Sequence, residues 1–140
     1  GNVTELKHYL VFPEKKLIIL FIGRKTAEIN GIPVTLDVPP RIMSGRTMVP
    51  FRFIGEAMGA EVAWEASEQK ITLTLFGKQI VLRIGSTTAM VNGNPVVLDA
   101  PPTIIGGRTL VPIRFVSESL GAKVDWEGTQ QRITITFPAS

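Results

Sequence analysis

Polar and apolar residues alternate along much of this chain, and the alternation predicts short antiparallel strands. Residues 71–75 and 133–137 place apolar side chains on one face and threonines on the other, as in a half-buried antiparallel sheet. Two Asn-Gly pairs, Asn30-Gly31 and Asn92-Gly93, separate apolar stretches. Asn-Gly favours a type I′ hairpin turn, because both central residues of that turn have positive φ. The predicted hairpin strands cover residues 26–29, 33–36, 88–91 and 95–98.

A short helix is predicted after each Pro-Pro loop, over residues 50–58 and 112–120. Proline suits the first turn of each helix, and Gly59 or Gly121 suits its end. The apolar positions have the spacing of one helix face. The face predicted to lie against the sheet consists of Phe53, Ile54, Ala57 and Met58, repeated as Phe115, Val116, Ser119 and Leu120.

These elements occur twice because the chain contains an internal repeat. Shifted by 62 positions, residues 16–77 lie over 78–139 without a gap, and about half of the positions are identical. Such a period defines the structural unit. We therefore divide the chain into an N-terminal extension, residues 1–15, and two repeats, 16–77 and 78–140. Units this small are expected to pack on each other or share strands.

The predicted fold class is α+β, with each repeat forming a small antiparallel β-sheet curled around one short α-helix. Apolar residues make up 44% of the chain, enough for a packed core. The net charge is only +3, and the basic residues are scattered, so nucleic-acid binding is not expected. The longest apolar run, 17–22, is too short for membrane insertion. Cysteine is absent and the chain begins at Gly1; we expect it to be processed or excised from a longer protein.

Residues 107–116, which include the motif Gly-Arg-Thr-Leu-Val-Pro-Ile-Arg-Phe, and residues 120–126 carry a family resemblance. Together they resemble the copper amine oxidase N-terminal-like ("stalk") domain, and the likeness covers about residues 16–138. The resemblance implies an antiparallel sheet around a helix. It also implies tandem copies in secreted and cell-surface proteins, largely of Gram-positive bacteria, without the oxidase's copper or quinone.

The residues give no sign of catalysis or of a cofactor. A protein copper site commonly uses two or three imidazoles, but the chain has one histidine, His8, and one tyrosine, Tyr9, both outside the repeats. No carboxylate pair, nucleophile–base motif or Gly-rich phosphate loop is recognisable. We therefore expect a protein that is not an enzyme and that has no catalytic, cofactor or metal site.

Residues kept in both repeats are expected to have structural roles. Arg52 and Arg114 have two interpretations, a contact to an anion or sugar and a structural ion pair, and duplication favours the ion pair. Its candidate partners are Glu56 and Glu118, Glu65 and Glu127, or Asp37 and Asp99. The predicted structural motif consists of Asn30, Gly31, Arg46, Arg52 and Trp64, and of Asn92, Gly93, Arg108, Arg114 and Trp126.

The tryptophans have two interpretations, a stacking platform for carbohydrate and core packing. Val62 and Trp64 point to the same side of a strand, and the position between them is Ala63 in one repeat but Asp125 in the other, which marks the opposite, wet face. This pattern favours core packing for Trp126 and for its equivalent Trp64.

The N-terminal strand differs between the repeats. Residues 17–22 are apolar on both faces, whereas residues 79–84 alternate, so the first strand is expected to be covered on both sides. The alternating segment 2–15 is the expected cover, either folded back on its own chain or donated to the sheet edge of a neighbour. The predicted assembly interface is Leu6, Leu10, Phe12, Leu17, Ile19 and Phe21.

The sequence thus predicts a non-enzymatic extracellular or cell-surface structural module, a stalk, scaffold or self-assembling subunit able to form filaments. Its expected partners are further copies of itself or neighbouring domains. The alternative is a module that binds cell-wall or other polysaccharide. The two differ in one respect, because a sugar binder needs exposed aromatic side chains along a groove. The structural interpretation predicts buried tryptophans and exposed apolar surface confined to residues 17–22.

Overall fold

The computed structural model describes residues 15–139, which form fourteen strands and two seven-residue helices. The first repeat contains β1 (Lys16–Phe21), β2 (Thr26–Ile29), β3 (Ile32–Thr35), β4 (Arg41–Met43), β5 (Arg46–Pro50), α1 (Phe51–Ala57), β6 (Glu61–Glu65) and β7 (Lys70–Leu75). The second contains β8 (Lys78–Arg83), β9 (Thr88–Val91), β10 (Asn94–Val97), β11 (Thr103–Ile105), β12 (Arg108–Pro112), α2 (Ile113–Ser119), β13 (Lys123–Glu127) and β14 (Arg132–Phe137). The strand-rich α+β composition is as predicted. Neither helix in this part of the chain is long and apolar enough to cross a membrane.

Every sheet combines strands from both repeats. The first sheet has the order β13-β14-β1-β2-β3, the second β10-β9-β8-β7-β6, and the central sheet β11-β12-β5-β4. The expected sharing of strands is therefore present, and the architecture is not one separate sheet for each repeat. The physical reason is size, because a unit of about 60 residues buries too little apolar surface alone.

The two repeats meet at β5 and β12, which pair antiparallel in the central sheet. Val49 lies opposite Val111, flanked by the pairs Met48–Pro112 and Pro50–Leu110. Val49 and Val111 are equivalent residues of the two repeats, and both are fully buried. An approximate two-fold axis therefore passes through this pair and relates one repeat to the other.

The same symmetry relates two other strand pairs, β7–β8 and β14–β1, of which only the first is joined by a turn. β7 and β8 pair over six residues and are joined by the turn at Phe76-Gly77, where both φ angles are positive. β14 and β1 pair over the six equivalent residues, from Lys16–Phe137 to Phe21–Arg132. β1 and β14 are the first and last strands of the described chain, so the first sheet forms only when the two ends of that chain pair.

One main core connects the sheets and both helices. Its fully buried members come from equivalent strands and helices: Ile18, Leu20, Val49, Ile54, Ile71, Leu73, Ile80, Leu82, Ala89, Val111, Val116 and Ile135. The helices begin at Phe51 and Ile113, one residue later than predicted, because Pro50 and Pro112 end the preceding strands. Phe51 and Ile113 are accordingly buried, whereas Phe53 and Phe115 are only partly buried.

The Asn-Gly turns adopt the predicted conformation and make a contact that the pattern did not reveal. Asn30 and Gly31 have φ of 51° and 80°, and the second turn is alike. The side-chain oxygen of Asn30 accepts a hydrogen bond from the N–H of Leu17 at 2.7 Å. Asn92 accepts one from Gln79 at 2.8 Å. Each asparagine therefore fixes its own turn and also holds the neighbouring strand, β1 or β8.

Replacing Asn30 by alanine should lower the free energy of unfolding by about 2 kcal/mol, for two reasons. Alanine is strained at the positive φ of this position, because it has a Cβ but no polar side chain to stabilise the turn. The hydrogen bond from the N–H of Leu17 is also lost. Asn30→Gly keeps the backbone geometry and loses only the side-chain bond, so it should cost about 1 kcal/mol. Urea denaturation measures both values. If both variants unfold at the same urea concentration as the wild type, Asn30 does not stabilise the turn and the neighbouring strand.

Candidate functional site

A cleft opens where α1 approaches the hairpin of β11 and β12, and residues of both repeats line it. We call it cleft 1; its volume is about 640 Å³, within the range of roughly 300–1,000 Å³ that is common for small-ligand sites. From the first repeat it takes Asp37, Phe51, Arg52, Glu56 and Trp64. From the second repeat it takes Ile104, Arg108 and Thr109.

The two-fold axis generates a second cleft, cleft 2, with a volume of about 660 Å³. It takes Asp99, Ile113, Arg114, Glu118 and Trp126 from the second repeat. It takes Ile42, Arg46 and Thr47 from the first repeat. Each of these residues lies 62 positions from its counterpart in cleft 1, so the chain presents one site twice.

Both tryptophans are exposed, and the prediction that they are buried was wrong. Trp64 keeps 38% of its surface accessible and Trp126 keeps 45%. They lie on β6 and β13, which are edge strands. The small residue Gly55 brings the helix so close to β6 that a Cβ there would lie 2.7 Å from Val62 Cγ2. The helix packs closely on Val62 in this way, whereas Trp64, the next position on that face, meets only Phe51 at the start of the helix and stays partly exposed.

The tryptophan of cleft 1 has an aromatic support that cleft 2 lacks. The ring centroids of Phe51 and Trp64 are 6.4 Å apart with an interplanar angle of 36°. The residue equivalent to Phe51 is Ile113, so Trp126 has an aliphatic neighbour at that position. The two clefts thus share their tryptophan and their charged residues but differ in the side chain beside the indole.

Ion pairs between the repeats form one wall of each cleft. Arg108 Nε donates to Asp37 Oδ2 at 2.9 Å, and Arg46 Nε donates to Asp99 Oδ2 at 2.9 Å. Asp37 and Asp99 were among the partners considered for Arg52 and Arg114, but they pair with Arg108 and Arg46, the other arginines that both repeats share. The four side chains are at least half exposed, so each pair contributes only about 0–1 kcal/mol. Their main effect is to position polar groups at the cleft.

Arg52 and Arg114 pair within their own helices. Arg52 lies 3.5 Å from Glu56, and Arg114 lies 3.0 Å from Glu118. Glutamate four residues on was one of the expected partners. All four side chains remain at least half exposed and line the clefts, so they are free to contact a ligand as well. Each cleft then holds two arginines and two carboxylates, and its charges cancel.

The turn after Trp126 is fixed by the neighbouring carboxylate. The backbone N–H groups of Gln130 and Thr129 donate to Glu127 at 2.7 and 3.2 Å. The bond from Gln130 is the main cause that lowers the pKa of the Glu127 carboxyl below its ordinary value of 4.5; partial desolvation opposes it, and the bonds from Thr129 assist it. The ionised carboxylate thus holds the β13–β14 turn beside cleft 2.

The residues of the predicted assembly interface fall in two groups. Leu6, Leu10 and Phe12 lie outside the described residues. Leu17 is 43% exposed, whereas Ile19 and Phe21 are partly buried. The Arg24 guanidinium lies 4.9 Å from the centre of the Phe21 ring, which gives that ring a cation–π partner.

Exposed apolar surface is not confined to residues 17–22, which corrects the second prediction of the structural interpretation. Ile32, Phe76 and Val97 are each at least 60% exposed. They lie at hairpin turns or on edge strands, where no neighbouring element covers them.

The sequence matches the copper amine oxidase N-terminal domain family over residues 5–70 and again over residues 28–135. The second match alone spans both repeats from β2 into β14 and includes both clefts. The chain belongs to the copper amine oxidase N-terminal domain family. The resemblance drawn from the motifs is confirmed. The N-terminal domain of copper amine oxidases is a non-catalytic domain, which suggests an accessory role for this member of the family.

The Glu127 carboxylate should make stability depend on pH in a defined direction. Because the pKa is lower in the folded chain than in the unfolded chain, its contribution is complete above the unfolded value and is lost as the pH falls through the folded value. Wild type should exceed Glu127→Gln in unfolding free energy at pH 7, and the difference should shrink below pH 4.5.

Urea denaturation of both proteins between pH 7 and pH 3 measures this difference. Glu61→Gln, which removes an exposed carboxylate from β6, controls for the change in net charge. A difference between wild type and Glu127→Gln that stays constant over the whole pH range would contradict the assignment.

Proposed function

We propose that this chain is a non-catalytic, extracellular module that binds polysaccharide for a bacterial surface protein. The observation that carries the proposal is the half-exposed tryptophan in each cleft, Trp64 and Trp126. Exposed aromatic side chains along a groove are the feature that distinguishes a sugar binder from a scaffold. The membership in a non-catalytic domain family is consistent with it.

The chemistry of each cleft suits a sugar ring. An indole offers a flat apolar surface on which the C–H face of a pyranose can stack, and its N–H offers a donor. Around Trp64, the guanidinium groups of Arg52 and Arg108 provide donors, and the carboxylates of Asp37 and Glu56 provide acceptors. A sugar hydroxyl group is both donor and acceptor, so it can use both kinds of group.

The charge balance favours a neutral glycan over an acidic one. Asp37 lies against Arg108, and Glu56 lies against Arg52. An acidic sugar would have to compete with these carboxylates for the guanidinium groups and would approach two negative charges. A neutral sugar can add hydrogen bonds to the existing ion pairs without separating them.

Binding should quench or shift tryptophan emission, because the chain has only two tryptophans and each lies in a cleft. Titration with cellohexaose, xylohexaose and chitohexaose, three neutral hexasaccharides, should give a saturable change for at least one. The double variant Trp64→Ala, Trp126→Ala should lose at least roughly 30-fold in affinity, as measured by calorimetry.

Phe76→Ala is the matched control, because Phe76 is an exposed aromatic residue of the β7–β8 turn outside both clefts. It should bind like the wild type. A wild-type protein that binds none of the three hexasaccharides, or a double variant with unchanged affinity, would contradict the proposal.

Self-assembly is the second candidate function, and the outer face of β1 favours it. Leu17 is 43% exposed, and Ile19 on the same face is only partly buried. An apolar strand face of this kind suits a contact with another strand or sheet. On this hypothesis the chain is a subunit of a stalk or filament, with residues 1–15 donated to a neighbour.

The double variant Leu17→Lys, Ile19→Lys should abolish association if this face is an interface. Light scattering with negative-stain imaging measures the mass of the wild type, of this variant and of a chain that starts at Lys16. Large species that disappear in both altered chains would support assembly through this face. A monomer in all three cases, or unchanged association, would reject it.

A further inference from the structure

We infer that each chain binds two segments of a neutral polysaccharide at once and so cross-links polysaccharide chains. This inference rests on the proposed function and extends it from one binding site to a bivalent device. It is carried by the duplication of the cleft and by the way in which the two repeats share each copy.

Neither repeat contains a complete cleft. The tryptophan of cleft 1 belongs to the first repeat, whereas Arg108 and Ile104, which also line the cleft, belong to the second. In cleft 2 the assignment is reversed, with Trp126 from the second repeat and Arg46 from the first. The pairing of β5 with β12 that creates one cleft therefore creates the other as well.

The clefts are separate and nearly equal in size. They have no lining residue in common, and their volumes are about 640 and 660 Å³. A ligand in one cleft therefore displaces no side chain that the other uses. Both clefts can therefore hold a ligand at the same time. A long polymer that fills both clefts is held by two contacts instead of one.

The charge pattern of the two clefts is also the same. Each contains an ion pair between the repeats and an ion pair within a helix, so each is neutral overall. Both clefts therefore select the same class of ligand, which is what cross-linking of one polymer requires. Two clefts of opposite charge would instead have indicated two different ligands.

The two tryptophans allow the clefts to be measured independently. In Trp64→Phe the remaining indole reports on cleft 2, and in Trp126→Phe it reports on cleft 1, while phenylalanine keeps an aromatic ring in the silent cleft. Each single-tryptophan protein should show saturable quenching by the hexasaccharide that binds. Calorimetry on the wild type should give two hexasaccharides per chain.

Replacing one tryptophan by alanine should leave the other cleft able to bind. Trp64→Ala and Trp126→Ala should each bind one hexasaccharide per chain. The corresponding polymer (hydroxyethyl cellulose, arabinoxylan or glycol chitin) should form large particles with the wild type, as measured by light scattering. Either single variant should still bind this polymer but not cross-link it, and its apparent affinity for the immobilised polymer should fall roughly 100-fold or more. Phe76→Ala should behave like the wild type in every assay.

The outcomes separate this inference from the function on which it rests. Binding of one hexasaccharide per chain, or cross-linking by the single variants as strong as that of the wild type, overturns bivalence and leaves glycan binding intact. Absence of binding by the wild type and by both single-tryptophan proteins overturns the proposed function together with the inference. Two sites per chain with cross-linking that needs both tryptophans supports both.

Discussion

The antiparallel pairing of β5 with β12 determines the rest of the architecture. Any two copies of one segment that pair antiparallel about equivalent residues are related by a two-fold axis, and here the residues are Val49 and Val111. Both side chains are fully buried, so the axis runs through the packed core. Once this pair is fixed, the helix of each repeat lies beside a hairpin of the other, and each cleft must contain residues from both.

The same constraint makes the two repeats one folding unit. The first sheet is completed only when β14, near the end of the chain, pairs with β1, near its beginning. The second sheet is completed across the boundary between the repeats, through β7 and β8. No sheet can form from a single repeat, so the free energy of unfolding cannot be divided between them. We expect cooperative unfolding, because the buried faces are common to both repeats.

Local features were predictable from the sequence, and contacts across the repeats were not. The Asn-Gly turns, both helices and the threonine-faced strands follow from short patterns that local geometry decides. The four central strands β4, β5, β11 and β12 escaped notice, although Gly106-Gly107 between Ile105 and Arg108 is a hairpin signal. The ion pairs of Arg108 with Asp37 and of Arg46 with Asp99 join residues 71 and 53 positions apart. Alternation placed Trp64 on the side of the helix, where it meets Phe51, but it did not show how much of each indole stays exposed.

Stability alone does not explain the composition of the clefts. A tryptophan that leaves 38% or 45% of its surface in water forgoes part of the burial that would stabilise the fold. Exposed ion pairs such as that of Arg108 with Asp37 contribute little. Yet these groups occur in both repeats, whereas other positions, such as Phe51 and Ile113, have diverged. Their presence in both repeats is consistent with the proposed function, in which a neutral sugar would contact the indole and the paired charges together.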